Sequence, residues 1–198
     1  MNYFLLTIRK QYDFDCGPKD GGRYDLSHAC SVCGSGALRI DPIKLPIVSL
    51  KDMIAITLKH EVVVPARLRD EVKTLAPLCS RTILDSKSSQ AASFLELIPE
   101  ITLPSFSQKT TGYITERQCP ACKRDGHFNI PHVPLKLSYK IIPGDFDVAA
   151  TYERFGLSRL RPDFKESNFA VPLYVVSDRV RAIFSAEPGV EFEPVSIG

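Results

Sequence analysis

Tryptophan is missing from this chain of 198 residues, and no apolar run is long enough to cross a bilayer as a helix. A secretory leader is not recognisable either. Residues 1–10 are apolar first and basic afterwards, the reverse of a signal peptide, so they are expected to form a first strand. The expected compartment is therefore the cytoplasm, where paired thiols hold metal more often than they oxidise. A charge excess is also lacking. The balance of 25 basic against 23 acidic residues suits neither a nucleic-acid coat protein nor an acidic tail.

Catalytic signatures are absent in turn. There is no G-x-S-x-G elbow and no phosphate-binding glycine loop. His60-Glu61 begins like a metalloprotease helix, but Val64 stands where the second histidine belongs. A zinc deaminase needs H-x-E ahead of P-C-x-x-C; here Pro120 lies inside the cysteine pair and no His-x-Glu precedes it. Asp13-Phe14-Asp15 and Asp145-Phe146-Asp147 each pair two carboxylates, a pattern that usually faces water. No catalytic residue is assigned, no small-molecule substrate is implied, and the chain is not expected to be an enzyme.

What the chain does carry is two C-x-x-C pairs, Cys30-Ser31-Val32-Cys33-Gly34 and Cys119-Pro120-Ala121-Cys122-Lys123. Each such pair closes a tight loop with both sulfurs aimed at one centre, and two loops complete a tetrahedron around zinc. Cys30, Cys33, Cys119 and Cys122 are thus the expected ligands of a structural Zn2+ that joins distant parts of the chain. A closed tetrahedron leaves no position for substrate. His28 is near enough to be an alternative ligand, and Cys16 and Cys79 read as passive thiols without activating neighbours.

The 44% hydrophobic content supports one core or two interlocked subdomains. The expected fold is a compact, mixed α+β domain spanning residues 1–198, with a discontinuous, zinc-ribbon-like site of four cysteines. Val62-Val63-Val64 reads as a strand end, and after Pro65 the residues Leu68, Val72, Leu75 and Ala76 mark the apolar face of a short helix in a stretch that continues to Leu78. Residues 85–92 read as a polar linker and 94–99 as a strand. Residues 173–184 read as a strand running into a helix capped by Ser177 or Asp178, and 190–195 as an alternating strand. Val63-Val64-Pro65-Ala66-Arg67 matches Val175-Val176-Ser177-Asp178-Arg179, and Leu95–Pro99 loosely echoes Val190–Pro194. The echo suggests two strand–helix–strand pseudo-repeats, 1–104 and 105–198, each with one knuckle. Recurrence of such units by chance is the competing explanation.

Between them, residues 145–165 are irregular, with a helical turn or two at 149–155. Arg154, Arg159, Arg161 and Lys165 alternate there with Phe155, Leu160 and Phe164, a pattern suited to phosphate, to an acidic protein surface or to a solvated loop face. Lys109, Arg117, Lys123 and Arg124 surround the second knuckle with Tyr113 and Phe128. Basic residues among aromatics suit single-stranded nucleic acid, so a zinc-ribbon nucleic-acid-binding protein is the alternative function. Lys123 and Arg124 equally serve to offset the charge of a tetrathiolate centre.

The two separated C-x-x-C pairs, with Val175-Val176-Ser177-Asp178-Arg179-Val180 and Val190-Glu191-Phe192-Glu193-Pro194 at the end, resemble the double-CXXCG motif family. That family is grouped with immunity proteins of bacterial polymorphic toxin systems. The first pair fits fully; the second has Lys123 where the motif has glycine, with Gly126 close behind. The resemblance implies a cytoplasmic protein that neutralises a cognate toxin domain by protein–protein contact, without turnover. Loops such as 104–112 or 145–165 would carry its specificity.

Overall fold

Alternation along the first strand sets the layering, because successive side chains of a strand face opposite sides. Phe4, Leu6 and Ile8 join one buried cluster while Tyr3 and Leu5 join another. The computed structural model describes residues 1–14, 17–46, 52–75 and 80–198. Cys16, Cys79, Asp15, Ala76 and Leu78 lie outside the described residues.

In chain order the strands are β1 (Tyr3–Ile8), β2 (Tyr24–Asp25), β3 (Leu38–Arg39), β4 (Lys44–Leu45), β5 (Ala55–Ile56), β6 (Val62–Val64), β7 (Ser80–Asp85), β8 (Ala91–Leu97), β9 (Ile101–Thr102), β10 (Tyr113–Thr115), β11 (His127–Asn129), β12 (Ser138–Tyr139), β13 (Val148–Ala150), β14 (Tyr174–Ser177), β15 (Val190–Pro194) and β16 (Ser196–Ile197), with helices α1 (Arg69–Lys73) and α2 (Asp178–Phe184). The fold is mixed and strand-rich. One five-stranded sheet has the order β15-β1-β14-β13-β9 and the other β4-β7-β8-β6-β5.

Four strands of each sheet follow the same plan. β15-β1-β14-β13 is antiparallel at every step, and so is β7-β8-β6-β5. In both, a strand runs into a short helix and returns as a strand on the far side of a central one: β6-α1-β7 around β8, and β14-α2-β15 around β1. The registers correspond as well. Val64 pairs with Leu95 and Val62 with Leu97, while Val176 pairs with Phe4 and Tyr174 with Leu6. All eight residues belong to one central cluster, which also takes Val72 of α1 with Val180 and Phe184 of α2.

The central strands are exchanged between the halves. β1 heads the first half but completes the sheet of the second, whereas β8 leads into the second knuckle but completes the sheet of the first. The structural counterpart of β8 is therefore β1, and that of β15 is β7. The expected match of 95–99 with 190–194 paired an inner strand with an edge strand, and the topological repeat sets in at β8, ahead of residue 105.

Equivalent arginines also cross between the halves. Arg67, after β6, makes a bidentate pair with the buried Glu187 that follows α2. Arg179, after β14, donates to the carbonyl of Thr74 at the end of α1 and to Asp147 at 2.8 Å.

Other expectations were revised. The stretch 85–92 is not a linker: residues 86–90 make a tight hairpin turn between β7 and β8, in which Asp85 Oδ2 accepts from the N–H and hydroxyl of Ser88, and Ser89 is left-handed at φ 57°. In place of the helical turn expected at 149–155, Val148–Ala150 form the buried strand β13, held between β14 and β9, and a bend follows before Phe155 bridges to Val171. Ser177 occupies the N-cap of α2, but its hydroxyl donates to Asp147 and does not cap the helix. Asp147 is buried there while Asp145 is exposed, so this carboxylate pair does not converge. Among the described residues no helix is long and apolar enough to cross a membrane.

Candidate metal centre

Each cysteine pair sits in the loop of a two-stranded antiparallel ribbon. β2 and β3 pair Tyr24 with Arg39 and Asp25 with Leu38 at the base of the first; β10 and β11 pair Thr115 with His127 at the base of the second. Within the loops the backbone repeats itself. The N–H of Gly34 donates to Cys30 O at 2.7 Å, and that of Lys123 to Cys119 O at 2.9 Å. The N–H of Ser35 points at Cys33 Sγ (3.4 Å) and that of Arg124 at Cys122 Sγ (3.5 Å). Both loops turn through a left-handed residue after the second cysteine, Gly34 at φ 78° and Lys123 at φ 53°. The missing glycine of the second pair does not alter the turn.

These loops bring the four sulfurs together. Cys30 Sγ lies 3.9 Å from Cys119 Sγ and Cys33 Sγ 3.7 Å from Cys122 Sγ, and all four lie within 4.8 Å of one another. A tetrahedron of sulfurs bound at ~2.3 Å has edges of about 3.8 Å. No pair is joined as a disulfide. The group fits a tetrahedral metal ion, with each half of the fold supplying two ligands. The exposed His28 stands outside it.

Burial of Cys33 and Cys119 shields the centre, while Cys30 and Cys122 are partly exposed. Burial raises the thiol pKa of Cys33 and Cys122. It opposes the Cys30 thiolate too, yet the N–H groups of Cys33 and Val32 bring that thiol down to about 7. Metal ligation requires thiolates, so loading this centre releases protons.

The surroundings lock the loops. Asp125 is buried, and its two oxygens accept from the N–H groups of Cys119 and Ser158, both at 2.9 Å. Gln118 donates to the carbonyls of Lys123 and Asp125. Arg124 crosses to the other knuckle: a Cβ on Gly36 would lie 2.4 Å from its Nη1. Its Nε donates to Tyr152 O, and its guanidinium lies 4.4 Å from the Tyr152 ring centre. Sequence reasoning did not single out Asp125, whose only local signal is a turn residue before Gly126.

The basic run of 154–165 does not form one face. Arg154 is buried, while Arg159, Arg161 and Lys165 are exposed. His60-Glu61 is likewise occupied structurally, Glu61 being held by Thr57 and Arg39. Compared with known proteins, the chain matches no protein-family model, no curated protein and no solved structure.

Proposed function

We propose that this protein is a cytoplasmic immunity protein that binds and neutralises a cognate bacterial toxin domain, with a structural zinc ion in the four-cysteine centre. The supporting observation is the meeting of the two C-x-x-C pairs, the residues that carry the family resemblance, in one closed group of four sulfurs. An all-thiolate tetrahedron suits zinc, and it leaves no ligand position for catalysis. The metal then fastens a passive body that acts by occlusion. A rigid body limits the ordering cost of association, so more of the contact energy survives as affinity. Of the four basic residues on which the nucleic-acid alternative rests, Arg124 is occupied by Tyr152 and the first knuckle, while Lys109, Arg117 and Lys123 are exposed.

The test is co-expression with the toxic C-terminal domain encoded by the adjacent gene. Rescue of growth together with co-purification of a stoichiometric complex is expected. Undiminished toxicity at matched expression, with no complex formed, would overturn the reading.

A further inference from the structure

On one face of the second sheet the apolar cover stops part-way along β1. Tyr3 and Leu5 belong there to a buried cluster with Leu135 and Leu137, while Thr7, the next residue on that face, is exposed. Beyond Leu5 opens a cavity of about 520 Å³. Its floor is Thr7 with the cross-strand neighbours Glu191, opposite Thr7, and Glu193, opposite Leu5. Val133 and Pro134, from the connection between β11 and β12, supply apolar wall, as do Pro172 and Leu173 ahead of β14. At its far end the cavity reaches Ile56, His60 and Val62 of the first half.

The backbone of β1 opens into the same space. Arg9 N–H donates to Gly189 O, and Val195 N–H to Tyr3 O, so the odd-numbered residues of β1 bond toward β15 and the even-numbered ones toward β14. Leu6 meets Tyr174, the first residue of β14, and further along Lys10 O accepts from Ile56 N–H. Ile8 falls between them. Pro172 stands where β14 would continue, and proline has no N–H to offer. The register therefore directs the N–H and C=O of Ile8 into the cavity, which Ile8 lines. A missing rung of this kind is what an added extended segment fills.

Charge narrows the choice of segment. No lysine or arginine lines the cavity, although the chain as a whole carries a net charge of +2. His60 also lines it, and burial lowers its pKa, which keeps it neutral. Glu191 shares an exposed ion pair with Arg9, but Glu193 has no ion-pair partner among the described residues. The groove thus combines a backbone donor and acceptor, apolar walls and an unneutralised acid.

We propose, resting on the toxin-neutralising reading, that this groove receives an extended segment of the toxin domain, paired through its backbone to Ile8, with an apolar side chain against Val133 and Leu173 and a lysine or arginine beside Glu193.

Titration of the metal-loaded full chain with the toxin domain of the co-expression test measures it. Val133→Arg replaces exposed apolar wall with a cation, and Glu193→Lys reverses the charge of the floor. Each should weaken binding at least tenfold and leave the melting temperature unchanged. Ile141→Arg alters a more exposed apolar side chain outside the groove and should bind within twofold of the parent. Both groove variants binding within twofold of the parent, or an equal loss in Ile141→Arg, would overturn the groove and leave the toxin-neutralising reading standing. No binding by the parent would overturn both. Self-association of the parent that Val133→Arg abolishes would give the groove to a second copy of this chain, and that too would overturn the proposal.

Discussion

The two knuckles hold different residues in the same left-handed position, so Gly34→Ala and Lys123→Gly should have opposite effects. A side chain in that conformation costs ~1–2 kcal/mol. Replacing glycine recovers about 0.4–1 kcal/mol by restricting the unfolded chain. At Gly34 a Cβ would also lie 2.4 Å from Phe169 Cε1 and 3.0 Å from its Cδ1. That ring is 8% exposed and packs against Tyr24 and Phe164, so it has little room to yield. Overpacking of this kind adds about 1–3 kcal/mol, for a total loss of about 2–4 kcal/mol in Gly34→Ala. Lys123 is exposed, so little packing goes with its side chain. Lys123→Gly should therefore relieve strain and gain about 0.5–1 kcal/mol after the entropy of the added glycine is subtracted. Urea unfolding of the metal-loaded proteins at one fixed metal concentration measures both. Gly34→Ala within about 0.5 kcal/mol of the parent, or Lys123→Gly destabilising by more than about 1 kcal/mol, would refute the shared geometry on which these figures rest.

Chelation, or Cys119→Ser, should lower the melting temperature and release one metal ion per chain, because metal binding is coupled to folding; a melting curve unmoved by chelator would contradict it. Asp125→Asn sets an amide N–H₂ against one of two backbone donors and should cost about 1–3 kcal/mol, read as a lower urea midpoint. Burial, only partly offset by Arg81, raises Glu96 from 4.5 to about 7. The folded protein therefore holds this proton more tightly than the unfolded chain: its stabilising contribution is full below pH 4.5 and is lost as pH rises through 7. That amounts to at most about 3 kcal/mol, and the stability difference between parent and Glu96→Gln, measured at about pH 5 and pH 8, should change in that direction.

The parts of the fold legible in sequence are those specified by neighbours along the chain. The valines of β6 and β14, the Pro65 and Ser177 boundaries and the cysteine spacing are local signals, and they mark elements that are present. β13 was not legible because Val148, Ala149 and Ala150 have no strong strand signature; pairing with β14 and β9 imposes the extended form. The turn after Asp85 was hidden because its left-handed residue is Ser89 and not glycine. Arg154 read as one of a surface series, since periodicity carries no sign of the remote elements that bury it. The meeting of the four cysteines was legible because a C-x-x-C pair fixes its own loop, leaving only one distance to be supplied by the fold.

That remaining distance is set by the exchange of central strands. With β1 lodged between β14 and β15, and β8 between β6 and β7, neither half can leave without stripping the other of its inner strand. The Arg67–Glu187 pair and the Arg179–Thr74 bond cross the same join, and the cysteine centre takes two sulfurs from each side of it. Backbone pairing, side-chain ties and sulfur ligation thus oppose the same motion. A metal placed within one half would stabilise only that half; placed here, it raises the cost of separating the two. Mobility that could serve induced fit is then left to the irregular connections between strands. If the protein acts as proposed, discrimination between toxins therefore belongs to those connections, and the layered body beneath them serves to hold their positions.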